Sequence, residues 1–271
     1  MRPEDGRAST GPIRRVRATL GRALQTAADR ATFFSDAKAW PFVAMLIGTL
    51  PLLGSFLLGV PGHPVVSALM LSFFCLGFVA KDRWPACITA IALAFIAHSA
   101  VAVVLSRSDP QRCAQIMPEA GNYWDRQHRW ITTGVNEEYK VASWLPAHIQ
   151  MFLGVSIFSF TSFGTVVFHD GFVQVDMMNY YNAQLTGISN DELRAVGFGW
   201  HLWSIMRGLG YLFVTYEMIS LAFRFFAGRA VSTRQRRALR WSLGAGFLIA
   251  DCVIKFFAVD AVRLKLFENL L

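Results

Sequence analysis

Residues 86–105 read ACITAIALAFIAHSAVAVVL, twenty consecutive positions without a charged side chain and with one ionisable group, His98. At 1.5 Å of rise per residue a helix of this length covers about 30 Å, the thickness of a bilayer's hydrocarbon core. No face of a 3.6-residue period is left polar, so the segment has no side to turn toward water. It reads as a membrane-spanning helix, and that reading sets the class of the whole chain.

Working outward, 40–60 is a second segment of spanning length. Between the two, 65–80 is shorter, bounded by Pro61-Gly62-His63-Pro64 and by Lys81-Asp82-Arg83, which predicts a tight helical hairpin. Toward the carboxyl terminus, 149–168 is uncharged but rich in Ser and Thr hydroxyls. Segment 200–226, whose apolar character begins at Val196, is interrupted by His201, Arg207 and Glu217, and 241–262 carries Asp251, Lys255 and Asp260. Trp40, Trp84, Trp144 and Trp241 stand at or just before segment starts, where an amphipathic indole favours the interface. The expected fold is an all-α polytopic bundle of about six hydrophobic helices over 40–262, preceded by a basic segment at 1–39 and followed by a short tail at 263–271. The stretches 106–146 and 169–195 read as connections.

Composition agrees. Of 271 residues, 54% are hydrophobic and 16% charged, which excludes an ordinary soluble, disordered or collagen-like chain. Cys75, Cys87, Cys113 and Cys252 form no C-x-x-C and no zinc spacing, so neither a disulfide framework nor a metal site is expected from them. The net charge of +8 is carried mainly by arginine beside the apolar segments, the pattern of a topology signal and not of nucleic-acid binding.

The first 39 residues are too polar for a cleaved secretory signal. Ile13, Val16, Leu20, Leu24, Ala27, Ala31 and Phe34 recur at steps of three and four, with Arg14, Arg15, Arg22 and Arg30 off that stripe. This predicts a basic amphipathic helix on the membrane surface, its arginines against anionic lipid. A solvated charged helix or a disordered tail is the alternative.

Orientation exposes a conflict. With the amino terminus inside and all six segments crossing, 13 basic residues fall inside and 11 outside; with one crossing fewer between 146 and 196, the split becomes 16 to 8. The positive-inside rule prefers five crossings, whereas the apolar character of 149–168 argues for six.

Ionisable groups at membrane depth are costly and are functional candidates by default. Asp251 and Lys255 stand one helical turn apart and can neutralise each other. Arg207 and Glu217 cannot pair directly; Asp251 or Asp260 could receive Arg207 and Lys255 could receive Glu217, with His98 as a neighbour. Gly197, Gly199, Gly208, Gly210, Gly244 and Gly246 suggest close helix contacts. Asp125, His128, Glu137 and Glu138 lack any recognised metal spacing, so no cofactor is expected. No zincin, hydrolase-elbow, Walker or His-box motif is present.

The leading expectation is a non-enzymatic component of a bacterial inner membrane, amino terminus cytoplasmic: a small permease or accessory subunit with its polar centre between the last two helices. It would work in lipid, with a protein partner or as a homo-oligomer. One alternative is a membrane-embedded enzyme acting on a lipid-linked substrate through the 106–146 and 169–195 connections, with His128, His169 or Asp170 as acid or base. Another is a scaffold held by the amino-terminal helix.

Overall fold

A computed structural model describes residues 12–135, 140–228 and 232–271, with side chains from Arg15 onward. Eleven helices occur among them: α1 (Pro12–Asp36), α2 (Trp40–Leu58), α3 (His63–Ala80), α4 (Trp84–Ser108), α5 (Pro110–Ile116), α6 (Ala120–Thr133), α7 (Val141–Ser162), α8 (Thr165–Ile188), α9 (Glu192–Gly199), α10 (Leu202–Ala227) and α11 (Arg234–Glu268). The chain is an all-α polytopic bundle. Six helices, α2, α3, α4, α7, α10 and α11, are long and apolar enough to cross a membrane.

The expected segment 149–168 straddles two helices. Its apolar run ends α7, breaks at Phe163 and Gly164, and opens α8. Both break residues are left-handed, with φ of 52° and 88°. Glycine is required at the second, because a Cβ there would lie 2.8 Å from Ile219 and its φ penalises any side chain. The two left-handed residues reverse the chain, so 169–195 is not a loop. It is α8 followed by the short α9. Similarly, 106–146 folds into α5, α6 and the first turn of α7, and the apolar lead at 196 belongs to α9 and not to the span that follows.

Contacts sort the helix termini into two ends. At one, Arg17 donates to the Phe225 carbonyl, Lys81 and Arg83 pair with Asp36, and Arg236 pairs with Asp82 at 2.9 Å. At the other, Arg112 bonds the Phe56 and Leu57 carbonyls, Arg107 pairs with Glu192, and Asn269 bonds Asp191. Seven helices run between these ends, the six apolar ones and α8. The 24 residues of α8 cover about 36 Å, but its core-facing positions include Asp176, Asn179 and Asn182. It is packed by α3, α4, α6 and α7, and shielding of its polar face by these neighbours is what lets it be polar.

The first end holds residues 12–39, 81–85, 224–228 and 232–240, and the sequence stretches they belong to, 1–39, 81–85 and 224–240, carry 16 basic residues. Helix α1 lies across it, from Phe225 and Phe226 of α10 to Lys81 after α3. The expected apolar stripe packs only in part: Leu24 and Ala31 are buried and Ala27 is half-buried, but Val16, Leu20 and Phe34 are exposed, and the packed face turns instead through Gly21, Ala28 and Ser35. Small side chains win because the helices touch backbone to backbone; a Cβ on Gly77 would stand 2.7 Å from the Ala31 carbonyl. Arg15, Arg22 and Arg30 are exposed, and the Arg14 side chain lies outside the described residues.

Helices α10 and α11 meet at Gly210 and Gly244, and a Cβ on Gly210 would press into Leu248 at 2.7 Å. Gly197, Gly208 and Gly246, by contrast, face open space.

Candidate functional site

Three ionisable residues from three helices converge inside the bundle. His63 opens α3, His98 lies in α4, and Asp176 is on α8; their exposures are 1%, 0% and 3%. His98 sits on the stretch that decides the fold, and among the 18 residues of α3 His63 is the sole histidine, with no Asp, Glu, Lys or Arg beside it. Neither helix offers its histidine a local counter-charge, so each must be satisfied by another element, and α8 brings the carboxylate to both.

Asp176 Oδ1 lies 2.7 Å from His98 Nε2, and Oδ2 lies 2.7 Å from His63 Nε2. The imidazoles are stacked, with centroids 5.7 Å apart and planes at 22°. Phe172, one turn before Asp176, closes over His98 edge-on at 5.0 Å. On the far side of that ring, Nδ1 is 2.9 Å from the Gly48 carbonyl of α2. A carbonyl only accepts, so Nδ1 must carry the proton. Helix α2 comes this near because residue 48 is glycine: a Cβ there would lie 2.0 Å from the Ala94 carbonyl of α4.

This hydrogen bond has an electrostatic consequence. With its proton on Nδ1, neutral His98 points a lone pair from Nε2 at a carboxylate lone pair 2.7 Å away. Two acceptors at that distance in a buried site repel unless a cation lies between them. The site is therefore built around one additional positive charge. Two imidazole nitrogens and one carboxylate oxygen, all within 4.8 Å of one another, form the single group of three or more potential metal ligands among the described residues.

A cleft of about 270 Å³ borders the site. Its walls are Pro61, Gly62, Pro64 and Val65 before and within α3, residues 116–120 between α5 and α6, and the α8 face of His169, Val173, Asp176 and Met177. Apart from Glu119, His169 and Asp176 the side chains lining it are apolar or absent. The two stretches read as connections in sequence thus form opposite walls, and His169 stands two turns from Asp176 on the same α8 face. Asp170 is exposed and outside this lining; His128 of α6, half-buried with its ring 5.1 Å from that of Trp124, is also outside it. Glu137 and Glu138 lie outside the described residues.

The polar groups of the last two helices form separate clusters. Arg207 grips Asp251 with two hydrogen bonds, of 3.0 and 3.2 Å, and His148 of α7 approaches the same carboxylate at 3.0 Å. Lys255 does not take Asp251 as its ion-pair partner; its ammonium lies over the Trp144 ring at 5.3 Å. Glu217 does not meet Lys255 either. It lies toward the first end, where Arg237 and Arg240 from the first turns of α11 hold it, with Arg240 also reaching Asp82. Asp260 is exposed and does not receive Arg207, and His98 belongs to neither cluster. All four cysteines are free, and Cys113 is buried in α5 instead of lying in a polar loop.

His201, at the junction of α9 and α10, is enclosed by Trp203, stacked at 4.5 Å, with Trp130 and Tyr181 around it. Burial, then the positive charges of Lys255 and Arg207, push its pKa down to about 3 from the ordinary 6.5, so this imidazole is neutral.

Comparison with known protein families, curated proteins and solved structures finds no match to this chain.

Proposed function

We propose that the protein is a membrane-embedded enzyme acting on a lipid-linked or similarly apolar substrate, with the His63–His98–Asp176 centre and its cleft as the working site. The observation that carries this reading is a buried carboxylate with no permanent cation against it, at the wall of a cleft whose lining is largely apolar. An apolar cleft accommodates a chain or ring system, and its few polar groups orient the reacting part. His169 and Glu119 are placed to exchange protons with a substrate in the cleft; the centre beside them supplies charge stabilisation. The permease reading located its site between the last two helices, but the ions there are spent on one another, Arg207 on Asp251 and Glu217 on Arg237 and Arg240.

Orientation follows the positive-inside rule. With α8 as a seventh crossing, the end holding 1–39, 81–85 and 224–240 is cytoplasmic with 16 basic residues, against 8 in the stretches of the other end. The conflict between five and six crossings dissolves, since seven has the parity of five and still leaves every apolar segment in the bilayer. The setting we propose is a bacterial inner membrane. Helix α1 rests at its cytoplasmic face, with Arg15, Arg22 and Arg30 available to anionic headgroups and Val16, Leu20 and Phe34 available to lipid.

The test is complementation of a strain lacking the protein, read by mass spectrometry of extracted membrane lipids, with reporter fusions at Ser232 and Leu271 on the same chain. Wild type should restore the missing lipid species, whereas His98→Gln and Asp176→Asn should not. Ser232 should report cytoplasmic and Leu271 external. Variants that insert at wild-type levels and restore the full lipid profile would end the enzyme reading, and the reverse pair of reporter signals would end the seven-crossing one.

A further inference from the structure

We propose that the cation at this centre is a divalent transition metal of the zinc class, held by His63 Nε2, His98 Nε2 and Asp176, with a further coordination position open toward the cleft. The inference rests on the reading of this centre as the working site and adds the identity of the charge. Four features of the geometry carry it.

The first is the lone-pair opposition between His98 Nε2 and Asp176 Oδ1, which the Gly48 hydrogen bond imposes. A cation must lie there, and the choice is between a proton and a metal. The second is the number of groups. One proton needs one imidazole, yet two converge on one carboxylate, and the other nitrogen of His63, Nδ1, is buried without a hydrogen-bond partner. A metal uses both Nε2 atoms and one carboxylate oxygen, and leaves His63 Nδ1 as the one imidazole nitrogen still unmatched. The third is the outer contact of His98. An imidazole that ligates through one nitrogen typically donates its other N–H to a carbonyl or carboxylate, which sets tautomer and ring direction, and the Gly48 carbonyl fills that place. The fourth is the cleft. Three protein ligands do not complete a tetrahedron; structural sites close it with a fourth, and catalytic sites leave it to water or substrate. Asp176 lines the cleft, so the vacant direction has somewhere to point.

The donor set chooses the class of metal. Magnesium and calcium take all-oxygen shells, and thiolate-rich sites take softer ions; two imidazoles with one carboxylate suit zinc and its neighbours in the first transition row. Loading requires modest movement. Donor atoms on a tetrahedral ion with bonds of about 2.0–2.1 Å stand about 3.3 Å apart, so the 2.7 Å contacts must open by about half an ångström. Gly62, next to His63, has no atom within 4 Å of where a side chain would be, which leaves the start of α3 space to yield. Charge also balances: a divalent ion against one carboxylate leaves a single positive charge, which a bound hydroxide or an anionic substrate group neutralises.

The full chain, purified in mild detergent and stripped with chelator, should be titrated with Zn²⁺ alone and with Co²⁺ alone. Wild type should bind about one equivalent per chain, and its thermal midpoint should rise on adding back zinc. With cobalt the visible spectrum should show the intense bands of a low-coordinate site, and these should shift on adding azide, which needs the open position. His98→Gln and Asp176→Asn should bind less than about a tenth of an equivalent, and Asp260→Asn, on an exposed position, should bind as wild type does. Wild type that binds less than a tenth of an equivalent, with no stabilisation by zinc, would overturn the proposal and leave a proton as the cation. So would full binding in both ligand variants. Because the stabilisation is read on the wild-type chain, misfolding of a variant does not rescue the idea. If metal is absent but the variants still abolish the lipid product, the metal fails and the enzyme reading stands; if metal binds but the variants restore the product, the reverse holds.

Discussion

Asp176 and Asp251 are both buried aspartates in the same bundle, and their surroundings differ in kind. Asp251 faces Arg207, a cation that does not deprotonate, in a two-pronged bond, with His148 filling in beside it. Asp176 faces only imidazoles. Its counter-charge has to come from outside the protein, as a proton or a metal, and whatever comes can also leave. The first arrangement is a clamp between α10 and α11. The second is open to exchange, and the proposal that chemistry takes place there rests on this contrast.

The same substitution should therefore give opposite results at the two positions. In Asp251→Asn the amide cannot neutralise Arg207, and breaking a buried pair on one side costs about 3–5 kcal/mol. We expect a matching drop in stability on denaturant titration in detergent, with much of it recovered in the double variant Arg207→Met, Asp251→Leu. In Asp176→Asn the amide fits: its NH2 donates to His98 Nε2 and its oxygen accepts from His63 Nε2, so no added cation is needed. Stability should stay within about 1 kcal/mol of wild type while the lipid product is lost. Equal destabilisation by the two substitutions would break the distinction between clamp and site.

Gly48→Ala sharpens the comparison from outside the ligand set. The added methyl would stand 2.0 Å from the Ala94 carbonyl, so α2 must move off α4 and carry its own carbonyl away from His98 Nδ1. Overpacking of this kind costs about 1–3 kcal/mol. Freed from its tautomer lock, His98 should also bind metal about 10–100-fold more weakly. Arg207 and Asp251 should be indifferent to the change, so the Arg207–Asp251 coupling energy from a double-mutant cycle should match in both backgrounds. Unchanged zinc affinity would show that the Gly48 contact does not orient the imidazole.

Why one cluster is legible in the sequence and the other is not comes down to locality. The spans α2 and α4 follow from unbroken apolar runs, because lipid tests every face of an outer helix. Helix α8 fails that test because its neighbours, not lipid, surround it, and its polar residues resemble those of a loop. One trace of it survives in the arithmetic of basic residues, which favours an odd number of crossings; the seven crossings we propose meet that preference by adding a helix instead of removing one. Arg207 and Asp251 stand out as charges inside apolar segments and lie on consecutive long helices. His63, His98 and Asp176 come from three elements, 35 and 78 positions apart in sequence, so no spacing motif connects them. The available hint is a lone histidine in the middle of α4 with no counter-charge on its own helix. The same reasoning explains α1, whose exposed stripe is the more hydrophobic one while its buried face is merely the smaller.

A third histidine tests the comparison in the other direction, and its effect should be the mildest near neutral pH. His201 has aromatic rings on several sides and two cations, Lys255 of α11 and Arg207 of α10, near enough to oppose its protonation. Its folded pKa of about 3 lies below the ordinary 6.5 of the unfolded chain. Above pH 6.5 both states are neutral and His201 contributes no slope. As pH falls below 6.5 the unfolded chain takes up a proton that the folded one refuses, so stability declines by about 1.4 kcal/mol per pH unit until the folded pKa is reached. The difference between wild type and His201→Phe isolates this contribution: phenylalanine keeps the stack on Trp203 but cannot titrate. Between pH 7 and pH 5 the variant should lose less stability than wild type by about 2 kcal/mol, read as the shift in denaturation midpoint. Parallel curves would mean that His201 is hydrated and protonated in the native state, and the neutral pole of the comparison would be lost.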